Sequence, residues 1–190
     1  MSKLSELLYY IFQLFYFMLP GIFANMMPIF AEKLNILRSL AVPVDLNRKW
    51  FDGKPLLGNH KTYRGFITGI FISIVITFLQ SKLYHYDFFK TLSILNYENY
   101  NFLVLGFLIG FGVLFGDSLK SFFKRRLNIK PGKPFIPFDQ IDSVVGALLV
   151  VSIIYIPPLK LVLSLLLLSI LAHFIIRAIG YYLGITKERW

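Results

Sequence analysis

The sequence predicts an all-α integral membrane protein of five transmembrane helices, with the N-terminus outside, the C-terminus in the cytoplasm and two basic cytoplasmic loops. Three observations carry this prediction. The 190 residues are 56% hydrophobic and only 16% charged, whereas a soluble domain is about 45–50% apolar and about 25% charged. With a mean hydropathy of +0.65, a chain of this length does not enclose enough core to hide so much apolar side chain. The charges are also confined, leaving five long uncharged runs, and the basic residues fall mainly on one side of those runs. The same hydrophobicity excludes a disordered chain, and the absence of cysteine excludes disulfides and thiolate chemistry.

The spans follow in order as residues 7–31, 65–81, 102–120, 142–158 and 160–183, within a single membrane domain 1–190. The first has no charge and exceeds the roughly 20 residues needed to cross the hydrocarbon core. It is too long for a signal peptide and lacks an A-x-A-like site. Pro20-Gly21 and Asn25 interrupt it, which predicts a kink whose freed backbone groups face other helices. The second is the uncharged run after Arg64, and the third carries Gly106, Gly110, Gly112 and Gly116 at small-xxx-small spacing, the pattern of close helix packing. The fourth and fifth are separated by Pro157-Pro158, which predicts a tight turn and an antiparallel pair.

Loops 32–64 and 121–141, with Lys120 at the edge of the second, and the C-terminal end from Arg177 then lie on one side with sixteen Lys and Arg, against four on the other. The positive-inside rule places that side in the cytoplasm. The net charge of +10 is thereby explained by topology, and no nucleic-acid partner is expected.

Topology accounts for the bases in these loops but not for the acids among them. Asp117, Asp139 and Asp142 all lie near span ends, where an ionisable group is costly unless partnered and marks a functional-site candidate. Asp139 and Asp142, at i and i+3, share a helix face. Carboxylates suit Mg²⁺ and Lys and Arg suit phosphate oxygens, so a metal–phosphate site and a simple hydrated network of Lys–Asp pairs both remain open. The other loop holds Gly53, Lys54, Gly58, Lys61, Thr62 and Arg64. It fails the P-loop pattern, because the Lys-Thr pair is displaced by two residues and no strand precedes it. Either a phosphate-approaching backbone or a surface hairpin leading into a helix fits it.

The run Gly116, Asp117, Ser121, Lys124, Arg125 and Lys130, in the form G-D-x-x-x-S-x-x-K-R-x(4)-K, resembles the signature of the phosphatidate cytidylyltransferases, membrane enzymes that make CDP-activated lipids from CTP. Their closing D-R-x-D is here Asp139-Gln140-Ile141-Asp142, Pro131 replaces an expected Asp, and the His-Gly-Gly stretch is missing. With Gly132, Gly146 and the preceding G-K-x-x-x-G-x-x-K-T-x-R-G of residues 53–65, these departures resemble the archaeal branch of the family, the CDP-archaeol synthases. The resemblance covers the whole chain.

It implies transfer of CMP from CTP to 2,3-bis-O-geranylgeranylglyceryl 1-phosphate, with release of pyrophosphate, Mg²⁺ as cofactor and membrane lipids as surroundings. A lipid phosphomonoester has a second pKa of about 6, so it attacks without a general base. His60, His85 and His173 are therefore assigned no catalytic role. The implied metal ligands are Asp139, Asp142 and Asp117, with Lys124 completing the catalytic set. The implied phosphate-binding residues are Lys120, Ser121, Arg125, Arg126, Lys130 and Gly132, together with Gly53, Lys54, Gly58, Lys61, Thr62 and Arg64 from the other loop. A homo-oligomer stays an open alternative to a monomer.

Two other functions compete. A CDP-alcohol phosphotransferase requires D-G-x-x-A-R, and here Asp52-Gly53 is followed by Lys54-Pro55. A small anion transporter requires charge at depth in the membrane, and both charged clusters lie at span ends.

Overall fold

A computed structural model describes residues 2–130 and 133–182, whose regular elements are helices with no strand among them. Helix α1 (Lys3–Lys33) starts where the Ser2 hydroxyl accepts the amide of Ser5, and it runs unbroken through Pro20 and Pro28. Helix α2 (Tyr63–Leu83) is capped by Thr62, whose side chain accepts the Gly65 amide at 3.2 Å. A short α3 (Asp87–Leu92) lies in the connection to α4 (Phe102–Arg126), which Asn101 caps. Helix α5 (Phe138–Val151) and α6 (Leu159–Tyr182) complete the chain.

Small residues set how these helices meet. Antiparallel α1 and α2 approach at Gly65, where an added Cβ would lie 3.2 Å from Pro28, and at Gly69, 2.7 Å from the Ala24 carbonyl. Helix α4 has two glycine faces. Gly106 and Gly110 face α2 at Ile74 and Ser73, while Gly112 and Gly116 face α5 at Ala147, Gly146 and Asp142. On α2 the buried Thr68 and Thr77 hydroxyls donate back to the carbonyls of Arg64 and Ser73 at 2.8 Å each. Gln80 donates to the Tyr16 carbonyl and accepts from the Tyr97 hydroxyl. These bonds satisfy polar groups that would otherwise be costly inside an apolar bundle.

The far end of the bundle is closed by a cluster of Tyr84, Leu95, Tyr97, Leu105, Ile109 and Val151. Helix α6 joins α1 through Leu14, Leu161 and Leu165 and a hydrogen bond from Tyr10 to Ser164. The opposite end gathers the C-termini of α1 and α4 with the N-termini of α2 and α5.

Among the described residues four helices, α1, α2, α4 and α6, are long and apolar enough to cross a membrane, so the chain is a multi-pass membrane protein. The helix in the region of the fourth expected span has other bounds. Helix α5 begins at Phe138 and stops at Val151 rather than covering 142–158. Fourteen residues rise only about 21 Å, short of the roughly 30 Å hydrocarbon core. Pro157 and Pro158 oppose helix in the residues before them; residues 155–158 are non-helical, and Tyr155 packs into both apolar clusters. The third span is also longer than expected. Helix α4 continues to Arg126, so Ser121, Lys124, Arg125 and Arg126 are helical rather than loop residues. Three cations in its last turn favour the negative end of the helix dipole. Gly132 and residue 183, the end of the expected fifth span, lie outside the described residues.

Replacing Gly116 by Ala forces a methyl group onto the Asp142 carbonyl. Overpacking of this kind costs about 1–3 kcal/mol. Thermal unfolding in detergent should show a drop of several degrees for Gly116→Ala and little change for Leu119→Ala on the exposed face.

Candidate active site

The α4–α5 glycine contact places two charged faces against each other. Asp117, Lys120 and Lys124 lie one helical turn apart on α4, and Asp139 and Asp142 lie one turn apart on α5. Lys120 Nζ stands among all three carboxylates, 3.2 Å from Asp117, 3.2 Å from Asp139 and 2.6 Å from Asp142. Lys61, just before α2, pairs with the other oxygen of Asp117. Lys124 lies 3.2 Å from both Asp139 oxygens and donates to the Lys133 carbonyl. Asp139 also accepts the Phe135 amide at 2.6 Å, and Asp142 accepts the Ser143 amide at 2.7 Å. The Asp142 side chain is 8% exposed. Its Oδ2 is the oxygen that pairs with Lys120 Nζ.

The first loop folds as a hairpin leading into α2, paired through Val44 with Lys61 and through Tyr63 with Val42. Its organiser is Asp45, which the sequence reading passed over. The carboxylate of Asp45 accepts the amides of Asn47, Leu57 and Gly58 at 2.9–3.1 Å. Gly58 adopts φ +100° and Gly53 φ +75°, conformations that favour glycine. The Gly58 amide is therefore held by Asp45, and Gly58 itself lies against the Arg125 guanidinium. Lys54 donates to the Arg126 carbonyl. Arg126 pairs with Asp52, bonds to the Pro55 carbonyl and lies over the Phe122 ring. Trp50 packs edge-on against Phe122. These contacts fasten the hairpin, with Gly53, Lys54 and Gly58, to the end of α4 at Arg126. Arg125 donates to the Ile129 carbonyl and Ser121 to the Asp117 carbonyl. Lys130 is exposed.

Two cavities of opposite character adjoin the carboxylates. A polar one of about 370 Å³ is lined by Glu32, His60, Lys61, Thr62, Arg64 and Asp117. Arg64 is 9% exposed, and its guanidinium makes no hydrogen bond or ion pair among the described residues. The guanidinium opens onto this cavity, which is sized for a ligand. An apolar groove of about 320 Å³ between α1, α4, α5 and α6 is lined by Met18, Ile22, Val113, Ala147 and Leu168. Asp139, Gln140, Asp142, Ser169 and His173 line the same groove.

A family model described as CarS-like CDP-archaeol synthase matches residues 7–190. The chain belongs to the CDP-archaeol synthase family. It is 39% identical to the CDP-archaeol synthase of Methanococcus vannielii over 97% of this chain and 99% of that one. It is 36% identical to that of Methanocaldococcus jannaschii over 78% and 83%, and 32% identical to that of Pyrococcus horikoshii over 99% of each. A solved structure of an intramembrane enzyme for archaeal membrane lipids biosynthesis superposes with a TM-score of 0.65 at 27% identity, over 85% of this chain and 90% of that one. Membership makes the chain a CTP-dependent cytidylyltransferase of lipid synthesis. The phosphotransferase and transporter readings fall away with it.

Cytidylyltransferases of this kind generally use a divalent metal. Among the described residues, no group of three acidic or histidine side chains is arranged to hold one, because the three carboxylates close on Lys120. Their chemistry still suits a hard cation. Three carboxylates gathered at one point are the hard oxygen donors that Mg²⁺ takes.

Removing the central ammonium leaves three carboxylates facing one another with only Lys61 and Lys124 beside them. Breaking such a partly buried network costs about 3 kcal/mol. Lys120→Met should lower the unfolding temperature in detergent, and Lys120→Met combined with Asp142→Asn should recover part of the loss. Additive losses in the double variant would show that the two side chains act independently.

Proposed function

We propose that the chain transfers CMP from CTP to 2,3-bis-O-geranylgeranylglyceryl 1-phosphate, releasing CDP-archaeol and pyrophosphate, at the cytoplasmic face of the cell membrane and with Mg²⁺. The observation that carries this reading is the meeting of a cationic cavity and an apolar groove at one carboxylate cluster. A soluble polyanion and a membrane lipid need such opposite surroundings.

In this reading the triphosphate lies in the polar cavity against Arg64, Lys61 and Thr62, where Arg64 gains the anionic partner it lacks. The start of α2 adds its positive end. The isoprenoid tails lie along the groove, with the lipid phosphate at its polar end. An oxygen of that phosphate forms a bond to the α-phosphorus of CTP. The bond from that phosphorus to the bridging oxygen breaks, and its electron pair leaves with pyrophosphate. The attacking oxygen is already anionic near neutral pH, so catalysis is positioning and charge stabilisation. Asp117, Asp139 and Asp142 would hold Mg²⁺, which neutralises phosphate charge when bound. Lys120 and Lys124 hold these carboxylates and supply cations to the departing phosphates. Arg125, Lys130 and Gly132 complete the second loop's contribution. Helix α5 with residues 152–158 makes the fifth crossing, and the sixteen-to-four split of basic residues supports the orientation.

The test is turnover by the full chain in nanodiscs supplied with CTP, Mg²⁺ and the ether lipid phosphate. Pyrophosphate and CDP-lipid should appear in equal amounts; no product from a folded, lipid-embedded chain overturns the reading. Asp139→Asn and Asp142→Asn should each lower kcat at least about a hundredfold, since charge stabilisation at such a site amounts to several kcal/mol. Arg64→Ala should raise the KM for CTP about tenfold, the value of one charge-assisted contact.

Orientation is tested by single cysteines at Asn59 and Asn96 in sealed right-side-out vesicles treated with an impermeant maleimide. Asn96→Cys should label directly. Asn59→Cys should label only after lysis, and more slowly with CTP and Mg²⁺. Labelling of Asn59→Cys from outside reverses the orientation.

A further inference from the structure

Helix α1 supplies one wall to each cavity. Met18, Ile22 and Met26 face the apolar groove, and Pro28, Ile29 and Glu32 face the polar cavity. Among the described residues, one side chain lines both: Asn25. Its amide makes no hydrogen bond within the described structure, although it lies inside a membrane-spanning helix. Two N–H donors and a carbonyl therefore stand open to the two cavities, and polar groups in membrane-spanning helices mark substrate contacts. Packing does not account for it, because Asn25 is exposed while its neighbour Ala24 is fully buried against α2.

We infer that Asn25 is a positioning residue that holds the acceptor's phosphomonoester at the junction of the two cavities. This rests on the proposed function. The groove directs the acceptor's apolar body toward α5 and α6, and the polar cavity holds the triphosphate. The group that must cross from one to the other is the acceptor phosphate, and its oxygens accept hydrogen bonds from an amide N–H. Asn25 lines the same groove as Asp139 and Asp142 and is a neutral donor. A neutral donor binds the phosphate without drawing the carboxylates away from their own cations.

Steady-state kinetics of the full chain in nanodiscs decide the matter, with lipid phosphate varied at saturating CTP and CTP varied at saturating lipid. Asn25→Ala should raise the KM for lipid phosphate about tenfold and leave the KM for CTP within about twofold. Asn25→Asp is close in shape but removes the donors and adds a negative charge, so it should be worse than Ala for the lipid; Asn25→Gln, which keeps the amide, should be the mildest of the three. A space-filling role predicts instead that Asp is milder than Ala. Unfolding temperatures of the three variants should match the unsubstituted chain within a few degrees. Equal changes in both KM values, no change in either, or Asp milder than Ala would overturn the assignment. A folded, unsubstituted chain without turnover would instead overturn the proposed function.

Discussion

Gly112, Gly116 and Gly146 leave no room for a side chain between α4 and α5, and the charged site depends on that contact. Helices with larger residues at the seam would sit farther apart, because interaxial distance follows side-chain size. Lys120 could not then reach Asp139 and Asp142 on the neighbouring helix while staying one turn from Asp117 on its own. The second glycine face of α4, at Gly106 and Gly110, fixes α2 in the same way. Lys61, two residues before the start of α2, is thereby brought to Asp117.

Charge balance explains how such a site persists at the end of an apolar bundle. Three carboxylates alternate with Lys61, Lys120 and Lys124, so the cluster is close to neutral and each acid has a cation within 3.2 Å. Arg64 is the exception: among the described residues its guanidinium has no hydrogen-bond or ion-pair partner, and it opens onto the polar cavity. Its uncompensated charge favours an anion there, and the nearby hairpin is held rigid by Asp45 and by the Asp52–Arg126 pair. The site therefore combines a self-satisfied centre with a cation, Arg64, that faces an open cavity.

Much of this was legible in the sequence. Uncharged runs located the long helices, and the acids Asp117, Asp139 and Asp142 stood out because carboxylates are expensive at span ends. The family signature then tied them to Lys124 and the basic run beside them. Helix boundaries were less legible, because charge alone marked them. The amphipathic end of α4 stays helical through Arg126, and α5 starts among polar residues at Phe138 and stops well before its prolines. The partners of the first loop were not legible. Asp45 acts on the amides of Leu57 and Gly58, twelve and thirteen residues away, and Lys54 reaches the Arg126 carbonyl on another element. No local spacing encodes such contacts. Asn25 registered only as an interruption of a span, since its place between two cavities exists only after α1, α2, α4, α5 and α6 have packed.

The central claim is that nucleotide and lipid meet directly over the α4–α5 cluster, with no intermediate on the chain. The stereochemistry at the α-phosphorus tests it most directly. CTP made chiral there by sulfur substitution should give a CDP-lipid of inverted configuration, as a single in-line displacement requires. Retention would mean two successive displacements through a nucleophile on the protein, and would contradict a mechanism built on positioning and charge alone.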